Sequence, residues 1–164
     1  MKKIIYLAVF MMAFLASSCT KDEIGGTATQ SLAGEWYVQA NVVNSDGTVT
    51  QDPNGYGRFK INTYNTAANE ANKMWINHNE NFWTFAIKTG CDLSTGTFSV
   101  KDAENQNGDA ITINVTNGKV LPMAGKQNNG AKADSITMDI EYSDDPGTIY
   151  RLEGVRYSGL TENN

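Results

Sequence analysis

Hydrolytic chemistry in this sequence would have to centre on His78, because the 164 residues contain one histidine. A serine or cysteine nucleophile needs a base within hydrogen-bond reach, and the sequence has no Gly-x-Ser-x-Gly elbow, HExxH helix or Cys-x-x-Cys pair. We therefore expect no metal site and no cofactor, and the catalytic residues stay unknown. His78 shares a strand face with Met74 and Ile76. It is expected near one mouth of the fold, as a base, as a group that orients a ligand, or as a strand-end residue bonded to the Asn-rich turn that follows.

The densest acidic cluster is Asp144-Asp145, directly before Pro146-Gly147. Paired carboxylates can cleave glycosidic bonds or bind calcium. Adjacent acids before Pro-Gly are more typical of a hairpin turn, and side chains one residue apart on a strand point to opposite faces. We interpret this cluster as a turn.

Residues suited to binding an apolar molecule are more abundant than residues suited to catalysis. Aromatic side chains are concentrated between residues 75 and 85, and large rings offer wide contact area to flat or apolar ligands. An inward-facing Arg151 could receive a carboxylate head group through a bidentate contact. The ligand-binding candidates are Trp36, Trp75, Trp83, Phe85, His78 and Arg151. The alternatives are that the aromatic residues form the core, and that Arg151 lies on a solvated strand face or covers the Gly34–Trp36 end.

The N-terminal residues 1–18 have the composition of a lipoprotein signal peptide. Lys2 and Lys3 precede an apolar run of about a dozen residues, which is shorter than the roughly 20 needed to cross a membrane. Small residues then lead to Cys19. We predict cleavage before Cys19, lipidation of its thiol and a flexible tether over residues 19–31.

This reading predicts a lipid-anchored protein of the outer membrane. Thr20-Lys21-Asp22-Glu23 is similar to a cell-surface export signal, so the surface is the expected location, with the periplasmic leaflet as the alternative. The partners expected are the membrane, a small hydrophobic ligand and an outer-membrane protein.

The net charge and the cysteine content bear on the possible partners and on disulfide bonding. The formal net charge is −5, and loss of Lys2 and Lys3 with the signal makes it −7. Such an acidic domain repels phosphate backbones, so we exclude nucleic acid as a partner. Lipidation of Cys19 would leave Cys91 as the one thiol, and therefore no intramolecular disulfide.

Residues 32–164 have the length of one domain, and their apolar residues alternate with period two. In residues 136–142 every second side chain is apolar, and Trp36 to Val42 repeat the pattern before an Asp-Gly turn. The predicted strands cover 36–42, 56–64, 73–78, 82–88, 97–101, 111–115, 119–123, 136–142 and 148–157, with a bulge at Gly154. The pattern favours an all-β, antiparallel up-and-down barrel of about eight or nine strands, with a β-sandwich as the alternative.

Two sets of motifs carry a resemblance to known families. Gly34-x-Trp36 resembles the start of calycins and lipocalins, whose tryptophan plugs one end of the barrel. A longer series resembles the Bacteroidetes lipoprotein family called lipid-binding putative hydrolase: Thr63 to Asn69, Met74 to Asn77, Phe82 to Phe85, Gly118 to Val120, Asp134 to Ile136, Asp144 to Pro146 and Gly154 to Gly159.

The resemblance implies a lipocalin-like barrel on an envelope lipoprotein and supplies no catalytic residue. Our leading hypothesis is a lipid-anchored protein whose barrel binds a small hydrophobic or amphipathic ligand. Hydrolysis of lipids or esters is an alternative that rests on the family name. A third is an accessory subunit of a surface complex.

Overall fold

The computed structural model describes residues 25–80 and 82–163. The predicted signal peptide and the predicted lipidation site at Cys19 lie outside these residues. Residues 28–31, which the sequence assigned to the tether, already belong to the folded unit: Leu32 N–H donates to the Thr29 carbonyl at 2.9 Å, and Thr29 is fully buried. Within the described residues, no helix has the length and apolar character to cross a membrane.

Nine antiparallel strands form one sheet that closes on itself. The strands are β1 (Gly34–Val43), β2 (Val49–Thr50), β3 (Arg58–Asn65), β4 (Lys73–His78), β5 (Phe85–Asp92), β6 (Thr97–Glu104), β7 (Thr112–Lys126), β8 (Lys132–Tyr142) and β9 (Ile149–Arg156). Neighbours in sequence pair from β3 through β9, and β9 then pairs with β1 from Trp36↔Arg156 to Val43↔Ile149. The two-residue β2 adds to β1 beyond the end of β3. Eight strands therefore close an up-and-down barrel, which confirms the barrel and excludes the sandwich.

Alternation of apolar and polar residues explains why the sheet closes. Each of the eight barrel strands turns an alternating set of apolar side chains inward, where they pack against one another and are almost completely buried. The inward residues include Trp36, Val38, Phe59, Ile61, Met74, Ile76, Phe85, Ile87, Phe98, Ile113, Val115, Ile136, Met138, Ile140, Tyr142, Tyr150 and Leu152. Burial of each large side chain stabilises the fold by about 1.5–3 kcal/mol. The barrel interior is thus a packed core.

One end of the barrel is closed by Trp36, as the resemblance to calycins implied. The Trp36 indole Nε1–H donates to Thr63 Oγ1 at 2.8 Å, and the Thr63 hydroxyl donates to the Leu32 carbonyl at 2.6 Å. The Arg156 guanidinium lies 4.5 Å from the centroid of the Trp36 ring and donates to the Ala33 carbonyl at 2.9 Å. We call this the tryptophan end.

Three details differ from the expectations. The predicted strands 111–115 and 119–123 are parts of the single strand β7, which is interrupted by a register shift where Asn117 adopts φ 53°. The strand predicted from Phe82 begins at Phe85, because the chain at Phe82 turns inward over the barrel mouth. Gly154 is not a bulge: it pairs in regular register with Val38.

Candidate ligand-binding site

The barrel mouth opposite Trp36 is covered by a cluster of aromatic rings, which we call the aromatic end. Its members are Tyr56, Phe59, His78, Phe82, Trp83, Phe85, Tyr142 and Tyr150. β3, β4, β5, β8 and β9 contribute Phe59, His78, Phe85, Tyr142 and Tyr150, each buried and inward-facing, and the connecting loops contribute the other three. The strand register therefore fixes the floor of this end, and the loops form its outer layer.

Phe82 is the centre of the cluster. Its ring stacks on Phe59 with centroids 5.2 Å apart and meets Tyr56 and Tyr150 edge-on at 5.4 Å each. Trp83 lies beside it and stacks on Tyr142, with centroids 5.0 Å apart and planes inclined by 14°. Such ring pairs contribute about 0.5–1.5 kcal/mol beyond their area. The two adjacent loop residues thus anchor the loop between β4 and β5 on the barrel mouth.

A recess of about 360 Å³ opens to solvent at this point. It is lined by Tyr56, Phe82, Trp83, Thr84, Gly108 and Asp109. Three of these residues are aromatic, whereas most of the surface that lines the recess is polar. The recess therefore suits a small amphipathic group, which can contact both the rings and the polar surface.

Two carboxylates of the β8–β9 turn border the same rings. The Trp83 indole Nε1–H donates to Asp144 Oδ2 at 3.2 Å, and the Tyr150 hydroxyl donates to Asp145 Oδ2 at 2.7 Å. Burial and this carboxylate raise the pKa of Tyr150 far above its usual value, so the phenol stays protonated. The turn expected at Asp144–Gly147 is present, and it also presents charge to the aromatic end.

The Tyr142 hydroxyl is buried and has no hydrogen-bond partner. Burial raises the pKa of Tyr142 well above its usual value, with smaller contributions from Tyr150 and Asp144. A buried hydroxyl without a partner costs about 1–3 kcal/mol. The end of β8 therefore carries an unsatisfied polar atom directly under Trp83.

His78 is fully buried, and both of its ring nitrogens have backbone partners. Nδ1 lies 2.8 Å from the Lys60 carbonyl, to which it donates, and Nε2 accepts from Glu80 N–H at 3.3 Å. Burial lowers the pKa of His78, against weaker opposing effects of the Lys60 carbonyl and the Glu80 charge. This geometry requires a neutral imidazole and leaves neither nitrogen available as a base. Of the three roles considered, the strand-end structural one matches these contacts.

The remaining candidates are dispersed. Trp36 and Phe85 are completely buried in the core. Trp75 points outward, with Lys88 Nζ 5.2 Å from its ring centroid, and borders a separate depression of about 480 Å³ on the outer wall. Arg151 also faces outward, because Tyr150 and Leu152 take the inward positions of β9. Only Trp83, Phe85 and His78 therefore meet at the aromatic end, and Trp83 alone of these lines the recess.

Arg151 forms a bidentate ion pair instead of facing a ligand. Its Nε and Nη2 donate to Asp139 Oδ1 and Oδ2 at 2.7 and 3.0 Å. The residue that covers the tryptophan end is Arg156.

The residues that sequence reasoning did not select are Tyr56, Phe82, Tyr142, Tyr150 and Asp109. Tyr142 was recognisable as inward-facing from the alternation in residues 136–142. The position of Asp109 depends on how the loop between β6 and β7 folds back, which no pattern in the sequence indicated.

A larger depression, of about 560 Å³, lies on the outer wall around Cys91, Phe98 and Asn117. Burial and the neighbouring Asp92 raise the pKa of the Cys91 thiol. The thiol is therefore protonated at neutral pH and is a poor nucleophile. Phe98 is the one aromatic residue that lines this depression, whereas three aromatic residues line the recess at the aromatic end.

Comparison with known protein families gives a match over most of the chain. No curated protein matches the sequence. The family model described as lipid-binding putative hydrolase matches residues 21–161, which cover the whole barrel. The chain therefore belongs to the lipid-binding putative hydrolase family.

Proposed function

We propose that this protein binds a small hydrophobic or amphipathic, lipid-like ligand at the aromatic end of its barrel. The observation that carries the proposal is the open recess walled by Tyr56, Phe82 and Trp83. The lipid-binding description of the family supports the same class of ligand.

The packed core sets where such a ligand binds. Since the inward side chains fill the barrel, the ligand contacts the mouth rather than occupying the interior, unlike our expectation from the sequence. Trp83 is half-buried and presents ring surface to solvent while its other face stacks on Tyr142. Apolar surface that the ligand removes from water here contributes about 25 cal/mol per Å² before the costs of association.

The experiment uses a chain that begins at Thr20, since the described residues by themselves complete the barrel closure and its core. Native mass spectrometry of this chain, made in its native host, is expected to reveal a bound small molecule of lipid-like mass. Titration calorimetry with a neutral single-chain amphiphile, below its critical micelle concentration, should give saturable binding of one molecule per chain. A chain that carries no ligand and shows no saturable binding would contradict the proposal.

We also propose that Cys19 anchors the protein to the bacterial envelope, at the outer membrane and with the domain at the cell surface. The signal-like residues 1–18 and the small residues before Cys19 support this. Metabolic labelling with a radioactive or alkyne-tagged fatty acid should label the wild-type chain and not the Cys19→Ala variant. Protease treatment of whole cells then distinguishes the surface from the periplasmic leaflet.

A further inference from the structure

The two ends of the barrel differ in charge. The loops of the aromatic end, residues 44–57, 79–84, 105–111 and 143–148, contain no lysine or arginine. Their acidic residues are Asp46, Asp52, Glu80, Asp109, Asp144 and Asp145. The loops of the tryptophan end, residues 25–33, 66–72, 93–96, 127–131 and 157–163, contain only Glu70 and Glu162. Negative charge is therefore concentrated in the loops of the aromatic end.

The carboxylates of the aromatic end are positioned by neutral donors. Asp144 and Asp145 accept from Trp83 and Tyr150, and Asp52 accepts from the backbone N–H groups of Tyr56 and Gly57 at 2.8 and 2.9 Å. The ion pairs formed by residues 25–80 and 82–163 are Lys73–Glu70, Arg151–Asp139 and Arg156–Asp134, and none includes an acid of these loops. The negative charge beside Trp83 is thus not neutralised within the described residues.

A buried polar atom without a partner lies beneath the rings of the aromatic end. The Tyr142 hydroxyl is completely buried and unpaired, although its ring forms the floor beneath Trp83 and lies close enough to Asp144 to be affected by its charge. A native fold rarely leaves such an atom without a partner. The hydroxyls of Thr29 and Thr66 at the tryptophan end are unpaired in the same way, so the recess and its charges, and not this hydroxyl, distinguish the aromatic end.

A site that combines aromatic ring faces with carboxylates favours a positively charged ligand. Ring faces attract organic cations, and Trp is the strongest of the side chains in this respect. Carboxylates repel anions and attract cations, most strongly where water is partly excluded. The recess places Trp83, Tyr56 and Asp109 on its walls, with Asp144 bonded to the indole of Trp83.

We propose that the aromatic end binds the positively charged ammonium head of an amphiphile, against Trp83 and beside Asp109 and Asp144. This inference rests on the proposed lipid-like ligand and specifies its head group. The ammonium can belong to a simple alkylamine or to a zwitterionic choline or ethanolamine lipid. In both kinds of ligand the ammonium group contacts the rings and the carboxylates. The zwitterionic lipid differs from the alkylamine in carrying a phosphate next to the ammonium group.

The test compares four amphiphiles with identical dodecyl chains in titration calorimetry, each below its critical micelle concentration. The heads are trimethylammonium, phosphocholine, maltoside and carboxylate. We expect trimethylammonium to bind about tenfold or more tightly than the neutral maltoside, and the carboxylate to bind most weakly. Tightest binding by phosphocholine would identify the zwitterionic source of the same ammonium group.

Two double variants distinguish the effect of the carboxylate charges on binding from the effect of packing around the rings. Asp144→Asn with Asp145→Asn preserves acceptors for Trp83 and Tyr150 and removes two charges. The matched control, Glu70→Gln with Glu162→Gln, removes two charges from the tryptophan end. We expect the first variant to weaken trimethylammonium binding about tenfold more than it weakens maltoside binding, and the control to change neither. Tetramethylammonium chloride should compete more strongly than sodium chloride at equal ionic strength.

Each outcome separates this inference from the proposed function. Equal binding of all four heads, or tighter binding of the carboxylate, would overturn the ammonium site and leave lipid-like binding in place. Unchanged trimethylammonium binding in the Asp144/Asp145 variant would also overturn it. Competition by calcium chloride well beyond its ionic strength would assign the carboxylates to a metal ion instead. Failure of all four amphiphiles to bind would remove the proposed function and this inference together.

Discussion

The indole of Trp83 lies parallel to the phenol ring of Tyr142, with centroids 5.0 Å apart and planes inclined by 14°. Through this contact a loop residue is fixed to the end of a barrel strand. The same side chain lines the recess at the aromatic end. Trp83 therefore connects the packing of the core with the site proposed for ligand.

Replacement of Trp83 should test that connection. Trp83→Ala removes a wall of the recess, so we expect the affinity for a dodecyl amphiphile to fall about tenfold or more and the free energy of unfolding to fall by about 1–3 kcal/mol. Titration calorimetry and urea denaturation measure the two effects. Trp75→Ala, which removes an outward-facing tryptophan, is the control and should leave affinity unchanged. Equal losses of affinity in both variants would argue against a site at Trp83.

His78 should make the stability depend on pH. Burial lowers its pKa in the folded state below the usual 6.5, so between the folded and unfolded pKa values the unfolded chain binds more protons. Stability is therefore complete above about pH 6.5 and falls as the pH decreases below it, by up to about 1.4 kcal/mol per pH unit.

Urea denaturation at pH 7.5 and 5.5 measures this dependence. In His78→Gln the side chain does not titrate, although its amide can still donate to the Lys60 carbonyl. The variant should be less stable at pH 7.5 and should lose most of the difference between the two pH values. A wild-type difference that persists in the variant would show that other groups cause it.

Arg151 should contribute to stability and not to ligand affinity. Its partner Asp139 is 6% exposed and also accepts from Asn117 Nδ2 at 2.8 Å. Arg151→Met leaves this carboxylate without a cation, so we expect a loss of about 1–3 kcal/mol. Adding Asp139→Asn should restore part of the loss, because the buried charge is then gone. Amphiphile affinity should be unchanged in both variants, and a clear decrease would place Arg151 in the site.

Gly154 should be essential to barrel closure. A Cβ at this position would lie 2.1 Å from the Tyr37 carbonyl oxygen and 2.7 Å from Val38 Cα, both backbone atoms of β1. Gly154→Ala must separate β9 from β1, and we expect a loss of about 3 kcal/mol or a failure to fold. Gly90→Ala is the control, since the nearest atom to its Cβ is 3.6 Å away. Equal stability of the two variants, measured by thermal denaturation, would contradict this explanation.

The sequence predicted the barrel well because burial imposes a period of two on every strand. It predicted the site less well, because the site depends on loops. Alternation identified Tyr142 as inward-facing, and by the same rule Tyr150 and Leu152 place Arg151 outside, which agrees with the alternative of an outer strand face for Arg151. The inward turn of Phe82 was not predictable, because an aromatic residue at a strand boundary fits equally well as the first residue of the strand or as a loop residue that covers the barrel mouth. The proximity of Asp109 to Tyr56 depends on two loops remote in sequence.

The pairing of β9 with β1 has a consequence for how the chain folds. The first long strand cannot acquire one of its two neighbours until the last strand is available, more than 100 residues later. Until then β1 and β8 both present unpaired edges, which are prone to aggregation. Closure of the barrel therefore waits for a long-range contact, which predicts slow folding and makes these two strand edges the places where a slowly folding chain aggregates.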